Sequence, residues 1–275
     1  MVLTEVLILL HFLKELPYFS AMIRVIILGA GNVAQHLFTA FYEHKSVEVV
    51  QCYNRKGKRL HPNQKENTIT QDLNTLKEAD VYILAVSDDA IEEVSNLLPF
   101  NNKFIVHTSG SVPMNTLNSN HRRGVFYPLQ TFSEDTVVDF ASIPFCLEAE
   151  YEENMIFLKK LTSTLSKKIY EVSSEQRNVL HVSAVFVNNF TNHLFSIAND
   201  ICNNYNIPFE ILRPLVLETA QKATKMNPDL AQTGPAIRND SKTIKRHLKI
   251  LTDTTQQEIY KTLTKAIQSK YGKKL

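Results

Sequence analysis

The run Gly29-Ala30-Gly31-Asn32-Val33-Ala34 constrains this chain most, because one hydrophobic period gives way to another across it. Before it stands a short β-branched apolar run, Ile23 to Leu28 (IRVIIL); after it, apolar residues recur at helical spacing from Asn32 to His44. A strand that turns through GxGxxA into a helix has a physical use. The first glycine permits the tight turn, and the second lets the backbone approach a pyrophosphate. The small third residue lets helix pack on strand, and the helix N-terminus offers N–H groups and the positive end of its dipole. Only seven glycines occur in 275 residues, and two of them are here. A glycine turn with no ligand is the alternative that this motif alone leaves open.

The alternation continues downstream. Val47 to Tyr53, Val81 to Val86 and Lys103 to His107 read as further strands, and Asp89 to Leu98 has helical spacing. Later strand candidates are Gly124 to Tyr127, Ile143 to Glu148 and Lys168 to Val172, with a helix from about Tyr151 to Ser166. Strands and helices at these intervals predict βαβ units around a buried parallel sheet, an α/β fold of Rossmann type. The texture changes at Ser174, a Ser at the N-cap of a helix that runs to about Asn203 and is apolar on most sides. Such a helix is expected to be buried, in a core or across a dimer interface. Helices at Pro208 to Met226, Ser241 to Leu251 and Thr254 to Tyr271 follow, and no strand pattern returns. The expected organisation is an extension at 1–21, a Rossmann-type domain at 22–173 and an all-helical domain at 174–275.

Charge and cysteine content narrow the classes of function. Lys and Arg number 30 against 28 Asp and Glu, so nothing calls for a polyanionic partner. Nine Lys/Arg against two acids between Ser241 and Leu275 make a basic tail, but no zinc-type spacing or RNA-binding signature accompanies it. It reads as the solvated face of terminal helices rather than a nucleic-acid surface. Three widely spaced cysteines, Cys52, Cys146 and Cys202, argue against a disulfide framework or a metal site and fit a reducing cytoplasm. The apolar stretch from Val6 to Leu13 is far shorter than a membrane span, and neither a basic flank nor a convincing cleavage site makes it a secretory signal. Met22 directly precedes the first strand, which makes residues 1–21 an upstream extension; a docked amphipathic helix is the competing reading.

The end of the second strand selects the cofactor. Sites for NAD usually place an acid there for the ribose 2′-OH. This chain has Tyr53-Asn54-Arg55-Lys56-Gly57-Lys58-Arg59, four cations and no acid. A guanidinium can fork onto a 2′-phosphate, so NADP(H) is expected, with Arg55 first, Lys56 or Lys58 assisting and Asn54 at the ribose or phosphate. An ordinary basic loop is the other reading. Two further strand ends should face the same crevice. Val86, Ser87 and Asp88 either bound the cofactor ribose or cap the following helix; His107, Thr108 and Ser109 line the nicotinamide, with Ser111 toward the substrate, or simply make a turn.

These residues resemble a known family. The runs ILGAGNVAQHL (27–37), LAVSDDAI (84–91), HTSGS (107–111), YPLQTF (127–132), HVSAVFVNNF (181–190) and TGPAIRND (233–240) are similar to bacterial proteins that join a Rossmann-like domain to a helical domain of unknown function. That family lies within the 6-phosphogluconate dehydrogenase C-terminal-like superfamily. Its wider relatives are pyrroline-5-carboxylate reductase, ketopantoate reductase and the deazaflavin-dependent NADP oxidoreductases. The resemblance spans Met22 to the C-terminus and implies an NADP(H)-dependent oxidoreductase. Relatives often carry His-Pro where this chain has Tyr127-Pro128, which puts an imidazole's role there in doubt.

The second half supplies candidate chemistry. His181 and Asn188 lie seven residues apart, close to two helical turns, and so are expected to share a face. One reading has them bonded structurally to a loop or dimer mate; in the other they face the substrate, with His181 as general acid. In ketopantoate-type relatives a Lys or Asn on this helix does comparable work. Tyr127 and His107 are the weaker candidates. Arg238, after the rigid Gly234-Pro235 turn, either holds a substrate carboxylate or pairs with Asp240. The function expected is reduction of a C=O or C=N group of a small carboxylate-bearing metabolite by a homodimer joined through its helical domain. A non-catalytic NADP(H)-binding sensor is the alternative.

Overall fold

The computed structural model describes residues 22–134 and 136–271; the extension expected at 1–21 lies outside them. Chain order is β1 (Ile23–Leu28), α1 (Asn32–Tyr42), β2 (Val47–Tyr53), β3 (Ile69–Thr70), β4 (Val81–Leu84), α2 (Ile91–Asn96), β5 (Phe104–His107), β6 (Arg122–Pro128), β7 (Phe145–Ala149), α3 (Glu152–Ser163) and β8 (Ile169–Glu171). The strands form one sheet in the order β3-β2-β1-β4-β5-β6-β7-β8.

Successive side chains of a strand point to opposite faces, and both faces here are covered. Val25 and Ile27 of β1, with Val81 and Ile83 of β4, join Leu37 and Phe41 of α1 and Leu158 and Leu161 of α3 in one core. Ile26 and Leu28, with Tyr82 and Leu84, join Ile91, Leu98 and Leu117 in the other. This two-sided burial is why IRVIIL and VYIL are continuous apolar runs rather than alternating ones.

The expectation of a parallel sheet is met except at one pair: β7 runs antiparallel to β6. Among its described residues the connection between them holds only a short 3-10 turn, Phe140–Ser142, whereas a parallel return normally requires a crossover helix. Strand β3 is two residues long and has no periodicity to reveal it.

The chain divides into two compact units, Met1–Ser183 and Ala184–Leu275, with the division inside the helical stretch that opens at Ser174. That stretch consists of α4 (Ser174–Ala184), a π-helical segment Val185–Phe190 and α5 (Thr191–Asn204). The second unit continues through α6 (Arg213–Lys225), α7 (Pro228–Ala231), α8 (Ser241–Ile250) and α9 (Thr254–Tyr271). Within it Tyr205 donates to the Ile250 carbonyl at 3.0 Å, and His247 Nδ1 lies 2.8 Å from Tyr260 Oη. The buried helix expected after Ser174 is not buried within the chain: Val179, Phe186 and Val187 are 64%, 64% and 76% exposed. No helix among the described residues is long and apolar enough to cross a membrane.

Candidate functional site

Strand order reverses at β1, whose neighbours are β2 on one side and β4 on the other. In open α/β sheets ligands bind outside the carboxyl ends of the strands at this point. A cavity of about 800 Å³ opens there, lined by the glycine turn, the end of β2, residues 85–88 after β4, residues 108–110 after β5, and Tyr127 and His181.

The turn has the backbone geometry its sequence implies. Gly29 has φ +131°, and a Cβ there would meet the Ala85 carbonyl oxygen at 2.1 Å, so only glycine lets the turn sit on the end of β4. Gly31 instead faces open space, with nothing within 4 Å of a Cβ position. Ala34 is fully buried against the sheet. Helix α1 starts from Gly31 with no side-chain cap and no acid in its first turn, leaving N–H groups and a positive dipole end available to an anion. Asn32 and Val33 line the same wall, and Asn32 Nδ2 donates to the Phe132 carbonyl at 2.9 Å.

At the end of β2 the four cations separate into two groups. Arg59 pairs with Glu66, and Lys58 lies 3.8 Å from Glu134. Arg55, Lys56 and Lys58 all line the cavity, and of these Arg55 and Lys56 are paired with no acid among the described residues. Asn54 also lines it, but its amide is committed elsewhere. Its Oδ1 accepts from the Lys58 N–H and its Nδ2 donates to the Lys58 carbonyl, both at 2.8 Å. It therefore shapes the basic loop at the cavity wall, where the ribose or phosphate contact is expected.

Val86, Ser87 and Asp88 line the middle of the cavity. The Ser111 hydroxyl donates to the Asp88 carboxylate, and Ser111 itself does not line the cavity, against the expectation that it reaches substrate. Its direction is set by the turn: Ser109 Oγ accepts from the N–H groups of Ser111 and Val112 at 3.1 and 3.0 Å, curling the loop back on itself. Thr108 and Ser109 do line it, whereas His107 is wholly buried behind them. Its Nδ1 accepts from the Ser109 N–H at 3.2 Å. Burial, aided by the nearby positive Arg177, holds its pKa down to about 3, so it is a neutral packing residue, neither a cofactor contact nor an acid.

At the far end of the cavity Tyr127 Oη lies 3.3 Å from His181 Nδ1. Tyr127 comes from the end of β6, just before Pro128, and His181 from the third turn of α4. Burial raises the Tyr127 phenol to about 12, so it stays protonated at neutral pH. Gly110 completes this group: a Cβ there would lie 2.5 Å from His181 Nδ1 and 2.8 Å from Tyr127 Oη. Gly110 lies within the 107–111 run expected to line the nicotinamide and substrate, whereas Gln130 and Phe132 line the cavity although the sequence reading assigned them no role.

The remaining candidates fall in the second unit. Asn188 is exposed and lies in the π-helical segment. Bonds from i to i+5 widen each turn, so seven residues no longer make two turns, and the shared face expected of His181 and Asn188 does not follow. Arg238 is exposed on the turn before α8. The Asp240 carboxylate accepts from the Thr243 N–H at 3.0 Å, a bond that chiefly holds it below the usual carboxylate range, with Arg238 and Arg246 adding to this. Among the described residues no group of His, Cys, Asp and Glu is placed to hold a metal.

A Rossmann-like sheet with a glycine turn opening onto a cavity, and a polar pair at the opposite end, is the arrangement of a dinucleotide-binding domain. Comparison with known proteins agrees. Residues 24–110 match the family described as "NADP oxidoreductase coenzyme F420-dependent", and residues 143–267 match a "domain of unknown function (DUF2520)". The structure of a "putative NADP oxidoreductase" of Bacteroides fragilis is 38% identical, covers 90% of this chain and 98% of its own, and superposes with a TM-score of 0.78. The chain belongs to this family of NADP oxidoreductases that continue into a DUF2520 domain. Two more distant structures share the fold. A reductive aminase of Aspergillus terreus, in complex with NADPH and ethyl levulinate, is 11% identical with a TM-score of 0.70, over 92% of this chain and 96% of its own. A pyrroline carboxylate reductase of Plasmodium falciparum with NADP bound is 12% identical with a TM-score of 0.57, over 90% and 91%. No curated protein matches the chain.

Proposed function

We propose that this chain binds NADP(H) and reduces a C=O or C=N group of a small metabolite. The observation that carries the proposal is that one cavity joins an anion-ready glycine turn and two unpaired cations to the Tyr127–His181 pair. The residues present fit the nucleotide: the open face of Gly31 admits a pyrophosphate, and Arg55 and Lys56 are available to a 2′-phosphate. When bound, the nicotinamide supplies the hydride.

The chain's own residues supply binding and proton transfer. Thr108, Ser109 and Gly110 wall the end of the cavity where the reacting group would sit. Tyr127 Oη, held protonated, offers a proton to the oxygen or nitrogen that gains electron density. His181 Nδ1, 3.3 Å away, is placed to resupply that proton, so the two side chains act as one donor. The reductase names of the more distant structures support C=O and C=N substrates as the class to test. The exposed Phe186, Val187, Phe190 and Leu194 support a homodimer formed through the helical segment, and three free, buried cysteines support a reducing compartment.

The test follows the absorbance of reduced nicotinamide with purified protein against a panel of keto acids, ketones and cyclic imines, with NADH as the comparison nucleotide. Turnover with NADPH is expected. Tight NADPH binding with no turnover across the panel would favour a nucleotide sensor instead.

A further inference from the structure

Arg177 is fully buried, the largest side chain that is so, and the proposed proton donor does not include it. A guanidinium out of water is costly unless its N–H groups are satisfied and its charge is opposed. Here Nη1 meets the Glu148 carboxylate of β7, and Nη2 donates to the Val112 carbonyl at 2.6 Å and to Ser174 Oγ at 3.2 Å, while Nε has no partner among the described residues. Ser174 Oγ in turn donates to Glu148 at 2.7 Å and accepts from the Met114 N–H at 2.8 Å. Three segments thus meet on one side chain: the end of β7, the loop after β5, and the first turn of α4. The same loop carries Thr108, Ser109 and Gly110, and α4 carries His181. Arg177 and His181 are four residues apart on α4, one turn, and so share a face.

We propose that Arg177 is a positioning residue, whose guanidinium clamps α4 to the loop after β5 and so keeps His181 against Tyr127 across Gly110. The planar fork matters, because one group must satisfy a carboxylate, a carbonyl and a hydroxyl in different directions, which a single ammonium on a flexible stem does not do. Tolerance is small. Gly110 leaves no room for a methyl group beside the pair, so a shift of α4 along the loop separates Tyr127 Oη from His181 Nδ1 or forces them into the backbone. The clamp itself follows from these contacts; its effect on turnover rests on the proton-donor reading above.

A purely structural ion pair can be replaced by apolar residues of similar volume without loss of stability. The test therefore uses the double variant R177M/E148L in the full chain, with labelled histidine and glycine. It reads the nuclear Overhauser contact between the His181 ring and the Gly110 α-protons. The expected result is a folded protein that still binds NADP but has lost this contact, with kcat about 10²-fold lower where a substrate is in hand. A folded double variant that keeps the contact would overturn the clamp. Should the double variant not fold, R177K decides by the same signal: loss of the contact supports the clamp, and retention overturns it. Absence of turnover in the unmodified protein would count against the proton-donor reading while leaving the contact experiment intact.

Discussion

Tyr127 Oη and His181 Nδ1 lie 3.3 Å apart although 54 positions separate them in the chain, one arriving on β6 and the other on α4. Between them and the backbone of Gly110 there is no space for a further carbon atom. In the proposed reaction this arrangement is the proton-donating part of the site. If the two side chains act as one proton donor, removing either should cost much of the chemical step and little of the nucleotide binding. His181→Ala and Tyr127→Phe are each expected to lower kcat by about 10²-fold or more, the usual scale for a lost general acid. Steady-state kinetics with calorimetric NADPH binding checks this, and unchanged kcat in both variants would assign the pair to packing.

Gly110→Ala tests the same pair from the other side. The added methyl would lie 2.5 Å from His181 Nδ1 and must push the imidazole or the phenol away. Overpacking of this kind costs about 1–3 kcal/mol. A lowered Tm together with a fall in kcat is expected, with NADPH affinity retained because Gly31 and Arg55 are untouched. An alanine variant with wild-type stability and turnover would show that α4 can move to accommodate it.

Cofactor preference should reside in the two unpaired cations. A charge-assisted hydrogen bond contributes about 1.5–3 kcal/mol. Arg55→Ala is therefore expected to weaken NADPH binding by about tenfold or more and NADH binding hardly at all, with Lys56→Ala smaller in the same direction. Arg59→Ala, whose partner is Glu66, should leave the preference unchanged. Calorimetry with both nucleotides reads the difference directly, and equal loss for NADPH and NADH would refute a 2′-phosphate contact.

His107 should make the fold sensitive to acid. Its folded pKa, about 3, lies below the ordinary value of 6.5, because burial penalises the charged ring. The unfolded chain therefore takes up a proton that the folded chain refuses. The contribution to stability is full above pH 6.5 and is lost progressively as pH falls toward 3. His107→Gln, which removes the titrating group, is expected to flatten the decline in Tm over this range relative to the unmodified protein. Identical pH profiles for the two proteins would refute the assignment.

Much of this architecture was legible before any coordinates. The IRVIIL and VYIL runs, the GxGxxA turn and the helical spacing after it are local patterns, and each formed where its period placed it. The absence of an acid after β2 is likewise a local fact, and the basic loop it marked lines the cavity. His181 and Tyr127 were legible as candidates because a polar residue in an apolar helix and a Tyr at the end of a strand are conspicuous one at a time.

What local pattern could not decide is which atoms face one another. Asn54 lines the cavity, but that its amide also closes on the backbone of Lys58 was not legible; His107 stood in a promising run, but the pleat of β5 turned it into the core. Asn188 lost its expected register to a π-helical segment that no periodicity announces, and β7 reversed direction because the connection before it has no crossover helix. Arg177 reads in the sequence as an ordinary helix cation and becomes a buried junction only once β7 and the loop after β5 are brought beside it. Period and composition are properties of neighbours along the chain, so they determined the sheet, the helices and the glycine turn. The Tyr127–His181–Gly110 group and its support depend on contacts between distant segments, where ångström-level packing decides, and only the tertiary structure contains those.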